Sequence, residues 1–463
     1  MTVRARLGIP YARQHRFGAP EPVPLSDDAV AGGGFGPSAP QTAGHALGGI
    51  VPGMAVGAID EQACLTLNVW SPASPGPHPV LVWFHGGSFV IGGTAQPVYD
   101  GARLAAEQAV VVVTANYRLG ALGFLDARPL GGVANCGVRD CLAALAWVQA
   151  HIDRFGGDPD RVVAFGESAG GGLLLHALTA PGARDLVAGA IVQSGATFAT
   201  LDEERAANVC AAVVARAGLT DAKALTALPV DALVAAQDAA MTDLLGTIGM
   251  MPFHPVIDGE VVTARPHEAL AAGAFAGRPL VVTTTADEMR LFLPPAEPPT
   301  PERLVRRISR YASIDEAAAA GAVAAYAADL GTDDTSAIWA TVFSDVEMQL
   351  PAHAVVSAHA AHGPVHTGLF TWNGPTVGAC HGIDIPFAFG NFGGGWDAFT
   401  GAVGDRRVAA EHLSTVVRNA WAAVARTGDP GWPVAPATML FGAKPTVAAA
   451  HPAMARASAA FGR

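Results

Sequence analysis

Apolar residues occur along this chain in short continuous runs that alternate with longer segments of helical patterning. Five of these runs predict buried strands, at residues 79–84, 110–114, 161–165, 279–285 and 365–372. A run without polar alternation is typical of a parallel strand that is covered on both faces. Helical segments such as 138–155 lie between the runs, so residues 64–199 are expected to form an alternating core. The predicted fold class is α/β, with a mostly parallel central sheet and helices on both faces.

Two alanine-rich regions, at about residues 202–240 and 301–361, predict helical insertions. The second follows a proline-rich break at residues 293–295. Between the two regions, residues 242–253 contain two glycines and two methionines and are expected to form an adaptable rim. A chain of this length commonly has about two to four domains, but one sheet can carry large insertions. Because the motifs described below are spread along the whole chain, we expect a single domain over residues 1–463.

Ser168 lies in a G-x-S-x-G motif that separates a predicted strand from a predicted helix at residues 169–179. In this context the serine occupies a sharp turn, and Gly166 and Gly170 are needed where a side chain would collide with the turn or the helix. The pentapeptide alone is equally compatible with an ordinary glycine-rich turn, since the chain contains 54 glycines. The neighbouring elements favour Ser168 as a nucleophile.

A second motif, HGGSF at residues 85–89, follows the predicted strand at residues 79–84. It resembles the loop that supplies an oxyanion hole with backbone NH groups. Such groups stabilise a negatively charged carbonyl oxygen without having to reorient. Gly87, Ser88 and Ala169 are the candidate donors. The alternative is an ordinary turn between a strand and a loop, which the presence of Ser168 disfavours.

A serine nucleophile needs a base, and the base needs an acid that orients it. Asp287 and Glu288 are adjacent carboxylates that follow the predicted strand at residues 279–285, and the residue pattern alone leaves both open. His381 lies in a glycine-flanked loop after the predicted strand at residues 365–372. Most of the 15 histidines are expected on the surface or in packing, but the order serine, acid, histidine selects His381.

Further runs in the same order resemble the type B carboxylesterases, the α/β-hydrolase family of cholinesterases and bacterial para-nitrobenzyl esterases. These runs are GIPYA (8–12), CLTLNV (64–69), ANYRLG (115–120), FGGDP (155–159), QSG (193–195) and RTGDP (426–430). The resemblance implies an α/β-hydrolase fold with helical insertions that wall the active site. It implies Glu288 as the acid, His381 as the base, and a buried ion pair between Arg118 and Asp140.

Three departures from the family pattern limit the resemblance. Cys64 matches a cysteine that forms a disulfide in secreted members, but Ala39 stands at the partner position, so this disulfide is not expected. Met289 replaces the glycine that commonly follows the acid and is expected to affect the shape of the pocket. The hairpin that usually precedes residues 8–12 is expected to be absent or reduced.

Composition excludes several other classes of function. The formal net charge of -12 and the absence of a basic cluster argue against nucleic-acid binding. An odd number of cysteines, five, fits reduced thiols, and no segment is apolar over the length that a signal or membrane span needs, so we expect a cytoplasmic protein without membrane contact. No metal or cofactor is expected, and the histidines at positions 353, 359, 362 and 366 are interpreted as surface residues.

The sequence therefore predicts a cofactor-independent serine esterase that acts on small to medium, mainly apolar carboxylic esters. Two alternatives stay open. The same machinery would serve amides, carbamates or polyesters as substrates. A non-catalytic binding homologue is disfavoured because the candidate triad is complete. The sequence does not distinguish a monomer from a homodimer.

Overall fold

The computed structural model describes residues 2–27, 30, 33–42, 51–52, 56–196, 199–245, 247–249, 251–293 and 297–462. The strands are β1 Val3–Pro10, β2 Ala12–Arg13, β3 Glu21–Pro22, β4 Thr66–Pro72, β5 His78–Phe84, β6 Val111–Ala115, β7 Gly157–Glu167, β8 Gly189–Gln193, β9 Leu280–Thr285, β10 Val365–Phe370, β11 Thr438–Phe441 and β12 Thr446–Ala448. All five runs that predict buried strands form strands. Four agree within two residues, and β7 begins four residues earlier than predicted.

Helices cover both faces and the ends of the strands. The α-helices are α1 Ala102–Gln108, α2 Gly120–Phe124, α3 Cys136–His151, α4 Ala169–Leu178, α5 Glu203–Arg216, α6 Val230–Leu244, α7 Pro266–Ala271, α8 Pro301–Ala312, α9 Glu316–Leu330, α10 Thr335–Ser344, α11 Leu350–Ala360, α12 Ile385–Phe389, α13 Trp396–Thr400, α14 Arg406–Thr427 and α15 Pro452–Phe461. Short 3₁₀-helices include Ile152–Phe155, Ala222–Ala227 and Glu288–Phe292. One π-turn, Asp345–Gln349, separates α10 from α11.

Ten of the strands form one sheet, in the order β1-β4-β6-β5-β7-β8-β9-β10-β11-β12. The strands from β6 to β11 in that order are parallel to their neighbours, and the pairs at the two ends of the sheet are antiparallel. The sheet is therefore mostly parallel, and the predicted α/β fold class is confirmed. Because β5, β7, β9 and β10 run in the same direction, the segments that follow them meet at one edge of the sheet.

Strand β5 illustrates why the buried runs lack polar alternation. Val80, Val82 and Phe84 belong to a large apolar cluster on one face of the sheet. Leu81 and Trp83 belong to a second cluster on the opposite face. Both faces of the strand are buried, so successive residues must all be apolar although their side chains point in opposite directions.

Both alanine-rich regions are helical in the structure. The first consists of α5, a 3₁₀-helix and α6, and the second contains α8 to α11. Apolar residues of the second insertion, including Leu304, Ile308, Tyr326 and Trp339, form a separate buried cluster.

Some sequence expectations fall outside the described residues or need correction. Residues 242–244 of the expected rim belong to α6, and Gly246, Met250 and most of the proline-rich break lie outside the described residues. The interpretation of the histidine-rich segment as surface residues is wrong for His359 and His366. Both are buried, and a ring nitrogen of each contacts a backbone carbonyl, that of Arg278 at 2.8 Å and that of Trp432 at 2.9 Å.

Candidate active site

Ser168 occupies the turn between β7 and α4, with φ of 56° and ψ of -127°. A positive φ is uncommon for a residue with a side chain, so the turn holds a strained conformation. Two glycines make the turn possible. A Cβ atom on Gly166 would lie 2.7 Å from the backbone of Gly170, and one on Gly170 would lie 2.1 Å from the carbonyl oxygen of Phe84. The turn therefore presents the Ser168 hydroxyl at the N-terminus of α4.

In the loop after β5, three consecutive residues have positive φ angles. The φ angles of Gly87, Ser88 and Phe89 are 122°, 54° and 62°. A Cβ atom on Gly87 would lie 2.0 Å from the carbonyl oxygen of Ile91, so glycine is required there. Among the described residues, the NH groups of Gly87, Ser88 and Ala169 have no hydrogen-bond acceptor. Free donors beside a nucleophile can stabilise an oxyanion.

His85 holds this loop in shape. Its ring stacks on Tyr117 with centroids 4.5 Å apart, and its Nδ1 lies 2.8 Å from the carbonyl oxygen of Gly86. Burial lowers the pKa of His85 to about 4, so the imidazole stays neutral at physiological pH. A neutral ring whose Nδ1 carries the proton donates to Gly86 and fixes the peptide that precedes the candidate donors.

The three candidate triad residues lie in one hydrogen-bonded chain. The Nε2 atom of His381 is 2.7 Å from the hydroxyl oxygen of Ser168, and its Nδ1 atom is 2.7 Å from Oε2 of Glu288. Glu288 is fully buried, and its Oε1 accepts hydrogen bonds from the NH of Thr285 at 2.7 Å and from the Ser194 hydroxyl at 2.6 Å. This arrangement can move a proton from the serine to the histidine while the carboxylate stabilises the imidazolium.

Asp287 points away from the imidazole. Its Oδ2 accepts from the NH of Ala379 at 2.9 Å, and its Oδ1 lies 3.9 Å from Arg290. The backbone NH of Asp287 donates to the carbonyl of Ala379, and the NH of His381 donates to the carbonyl of Glu288. Asp287 therefore ties the loop of the acid to the loop of the histidine, while Glu288 contacts the ring itself.

Comparison with known proteins shows the family to which this chain belongs. The sequence model of the carboxylesterase family matches residues 2–441. The chain belongs to the carboxylesterase family. The para-nitrobenzyl esterase of Bacillus subtilis (strain 168) is 34% identical over 445 residues, which cover 92% of this chain and 88% of that protein. The fumonisin B1 esterase of Sphingopyxis macrogoltabida is 34% identical over 393 residues, which cover 80% of this chain and 69% of that protein.

A solved structure of a thermophilic PNB esterase has a TM-score of 0.83 and 31% identity, and the match covers 98% of this chain and 96% of that chain. The family resemblance and the α/β-hydrolase fold predicted from the sequence are therefore confirmed. The protein is a carboxylic ester hydrolase.

The site of this carboxylesterase contains a further carboxylate, Glu167, which was not among the residues predicted from the sequence. Oε1 of Glu167, the residue before Ser168, lies 3.3 Å from Nε2 of His381 and has no hydrogen bond within the described structure. Burial raises the pKa of Glu167 to about 8. Burial alone would lower the pKa of His381, but Glu167 and Glu288 outweigh it and hold that pKa above its ordinary value. The available signal was a charged residue directly after the buried, uncharged half of β7, residues 162–166.

Asp384 is a second buried carboxylate close to this group. Its Oδ2 accepts from the side-chain amide of Gln193 at 2.6 Å. Burial, reinforced by the charge of Glu288, raises the pKa of Asp384 to about 6. Several acidic groups thus compete for protons near His381.

Ser168, the candidate nucleophile of the enzyme, lines a pocket of about 50 Å³. Its polar lining includes Glu167, Ser168 and His381, and its apolar walls include Tyr99, Leu291, Phe292, Ile385 and Trp396. The ring of Phe292 lies 5.4 Å from that of His381, centroid to centroid. A larger cavity of about 390 Å³, lined by residues 40–42, 59–61, 230–231 and 234–235, contains none of the candidate residues. The chemistry of the lining, not the cavity volume, identifies the candidate site.

Other residues singled out in the sequence have structural positions. Arg118 and Asp140 form the expected buried ion pair, with Nη2 of the arginine 2.6 Å from Oδ1 of the aspartate. Met289 packs into the apolar cluster of the second insertion and does not line the pocket, contrary to the expectation that it shapes the pocket. The cysteines are free and buried, including Cys64. Burial and the charge of Glu288 raise the pKa of the Cys380 thiol.

Two findings concern metals and membranes. In the described part of the chain, His, Cys, Asp and Glu side chains form no group of three or more that could hold a metal ion. The helices of that same part include none whose length and apolar character would allow it to cross a bilayer.

Proposed function

We propose that this carboxylesterase hydrolyses its substrate through an acyl-enzyme intermediate formed on Ser168. His381 acts as general base and then as general acid, and Glu288 orients the imidazole and stabilises its protonated form. The observation that supports this assignment is the pair of 2.7 Å contacts from His381, one to the Ser168 hydroxyl and one to Glu288. In a serine hydrolase, that arrangement provides the base with the correct tautomer and the nucleophile with a proton acceptor.

In the first half of the reaction, the Ser168 oxygen attacks the ester carbonyl while its proton moves to Nε2 of His381. The carbonyl oxygen becomes an oxyanion and accepts hydrogen bonds from the NH groups of Gly87, Ser88 and Ala169. The intermediate collapses when His381 returns the proton to the leaving alkoxide. In the second half, His381 takes a proton from a water molecule that attacks the acyl carbonyl. The bond between the acyl carbon and the Ser168 oxygen then breaks, and His381 returns the proton to that oxygen as the acid product leaves.

We further propose that the substrates are small to medium esters with mainly apolar groups. The walls of the pocket are aromatic and aliphatic, and the volume of about 50 Å³ beside Ser168 supports a small acyl group. Glu167 lies 3.3 Å from His381 and is ionised in part near neutral pH, and this partial negative charge disfavours anionic groups next to the scissile bond. A series of para-nitrophenyl esters with increasing acyl length tests this proposal, with kcat/KM expected to fall for long chains.

The catalytic assignment is tested by covalent labelling. A sulfonyl fluoride or an organophosphate should modify Ser168, as located by mass spectrometry of peptides, and should abolish hydrolysis of para-nitrophenyl acetate. Ser168→Ala should neither be labelled nor show activity, although it should melt at an unchanged temperature. Labelling at another serine, or activity that survives in Ser168→Ala, would refute the assignment. An anilide or carbamate with a higher kcat/KM than the matched ester would assign the same machinery to another bond.

We extend the proposal to the organisation of the chain. Residues 1–463 act as one catalytic domain that includes both helical insertions, whereas the residues that line the pocket beside Ser168 come from other segments. The buried thiols of the cysteines support a reducing compartment such as the cytoplasm.

A further inference from the structure

The helix that spans α10 and α11 is interrupted by the π-turn Asp345–Gln349. The NH of Leu350 donates to the carbonyl of Asp345, which is the bonding of residue i to residue i+5 that defines such a turn. A π-turn inserts one extra residue into a helix, and it is found frequently at functional sites. In this turn Asp345 and Gln349 are fully buried, and so is Ser344, the residue before it.

The turn brings two polar side chains onto one side of the helix. In an α-helix with about 3.6 residues per turn, positions five apart point about 140° away from each other. The wider π-turn brings such positions back toward the same face, because its bonds join residues five apart. Ser344 and Gln349 are five apart, and both contact the segment from Thr284, near the end of β9, to Met289.

These contacts are specific hydrogen bonds in a buried environment. The side-chain amide of Gln349 donates to the carbonyl of Thr285 at 2.9 Å and accepts from the hydroxyl of Thr284 at 2.8 Å. The hydroxyl of Ser344 accepts from the NH of Met289 at 2.9 Å. Gln349 and Ser344 thus form hydrogen bonds to the acid loop, residues 284–289, on both sides of Glu288.

The same loop delivers the carboxylate to the histidine. The NH of Thr285 donates to Oε1 of Glu288 at 2.7 Å, while Oε2 of Glu288 lies 2.7 Å from His381. Strand β9 ends at Thr285, so regular pairing with β10 does not extend to the residues that follow it. The loop needs such added contacts, since a displacement of about 1 Å in a catalytic group can cost about 10²-fold in rate.

We propose that Gln349 is a positioning residue for the catalytic acid, with Ser344 as its partner across the π-turn. This inference rests on the role of Glu288 under the proposed function. Asp345 fixes the position of the π-turn, because Arg456 donates to both of its carboxylate oxygens, at 2.8 and 2.9 Å. The second helical insertion therefore sets the orientation of the triad from outside the sheet.

The test compares Gln349→Met in two backgrounds, the unchanged chain and Glu288→Gln. Methionine keeps the length of the side chain but removes its hydrogen bonds. In the unchanged chain, kcat for para-nitrophenyl acetate should fall about tenfold to a hundredfold with KM within about twofold. In the Glu288→Gln background, the same substitution should change kcat by less than about twofold, because residues that act through each other are not additive.

Gln149→Met is the matched control. Its side-chain amide also makes two hydrogen bonds, in this case by donating to the carbonyls of Pro159 and Leu186, both at 2.9 Å, but it lies on α3. We expect a lower melting temperature and an unchanged kcat. An unchanged kcat in Gln349→Met, or equal losses in both backgrounds, would overturn the proposal.

Ser344→Ala deletes a single oxygen and provides the same comparison if Gln349→Met does not fold. Additivity with Glu288→Gln in that variant would equally overturn the proposal. A Glu288→Gln variant with full activity would instead refute the proposed function. The two failures are therefore distinguishable.

Discussion

Replacing Glu167 with glutamine should move the acid limb of the pH profile to lower pH. Catalysis needs neutral His381, and a carboxylate 3.3 Å from its Nε2 favours the protonated imidazolium. Glutamine keeps the shape of the side chain but removes this charge, so the pKa of His381 falls. Activity then persists in more acidic solution.

The size of the shift follows from the geometry. At 3.3 Å and an effective dielectric constant of about 20, a full charge on Glu167 would attract the imidazolium by about 5 kcal/mol, or about 3.7 pKa units. Burial raises the pKa of Glu167 to about 8, so its carboxyl group is ionised only in part near neutral pH. The two groups share protons as a pair. We therefore expect a shift of about 1 to 2 pH units.

The assay is kcat/KM for para-nitrophenyl acetate between about pH 5 and pH 9 at constant ionic strength, near the titration range of histidine. Glu260→Gln is the control, because that side chain is 73% exposed and pairs with Arg139 on the surface. Its profile should match that of the unchanged chain. An acid limb of Glu167→Gln that stays in place or moves to higher pH would refute the electrostatic reasoning.

Three further outcomes are expected. Glu288→Gln should lower kcat by about 10⁴-fold, as in the serine-protease case, whereas Asp287→Asn should cost far less; the reverse ranking in folded protein would exchange their roles. Arg118→Met should lower the free energy of unfolding by about 3 to 5 kcal/mol in denaturant titrations, because it leaves Asp140 buried without its partner, and an unchanged stability would contradict this view. Gly87→Ala should reduce kcat by about 10²-fold or more with little change in KM, since the added Cβ displaces the donor loop; near-normal kcat would exclude this loop as the oxyanion hole.

The parts of the site that the sequence predicts are those that local sterics dictate. The turn at Ser168 needs Gly166 and Gly170 because neighbouring backbone atoms lie where a Cβ would be, and such a requirement appears directly as a motif. The donor loop at residues 85–89 is predictable for the same reason. The fold class follows from the buried runs, since β5 contributes alternately to clusters on both faces of the sheet. That Ser168, Glu288 and His381 act together as a triad stays a prediction.

Contacts between distant segments were not predictable in this way. Glu167 meets His381 across more than two hundred residues, and Gln349 contacts the last two residues of β9 from a π-turn that has no simple sequence pattern. Neither contact follows from local periodicity. The burial of His359 and His366 was missed because both rings satisfy one polar atom with a backbone carbonyl, which only the assembled fold supplies.

The choice between Asp287 and Glu288 depends both on the local sequence pattern and on contacts between distant segments. The residues are adjacent and chemically alike, so the pattern left both open until the family resemblance favoured Glu288. The register of the parallel strands β9 and β10 supplies the physical reason. It brings the acid loop beside the loop of His381, where the backbone and side chain of Asp287 bond to Ala379 and so occupy the outer position. Glu288, one residue further on, is then directed to the imidazole. Asp287 thus holds the loop in place, and Glu288 can contact His381.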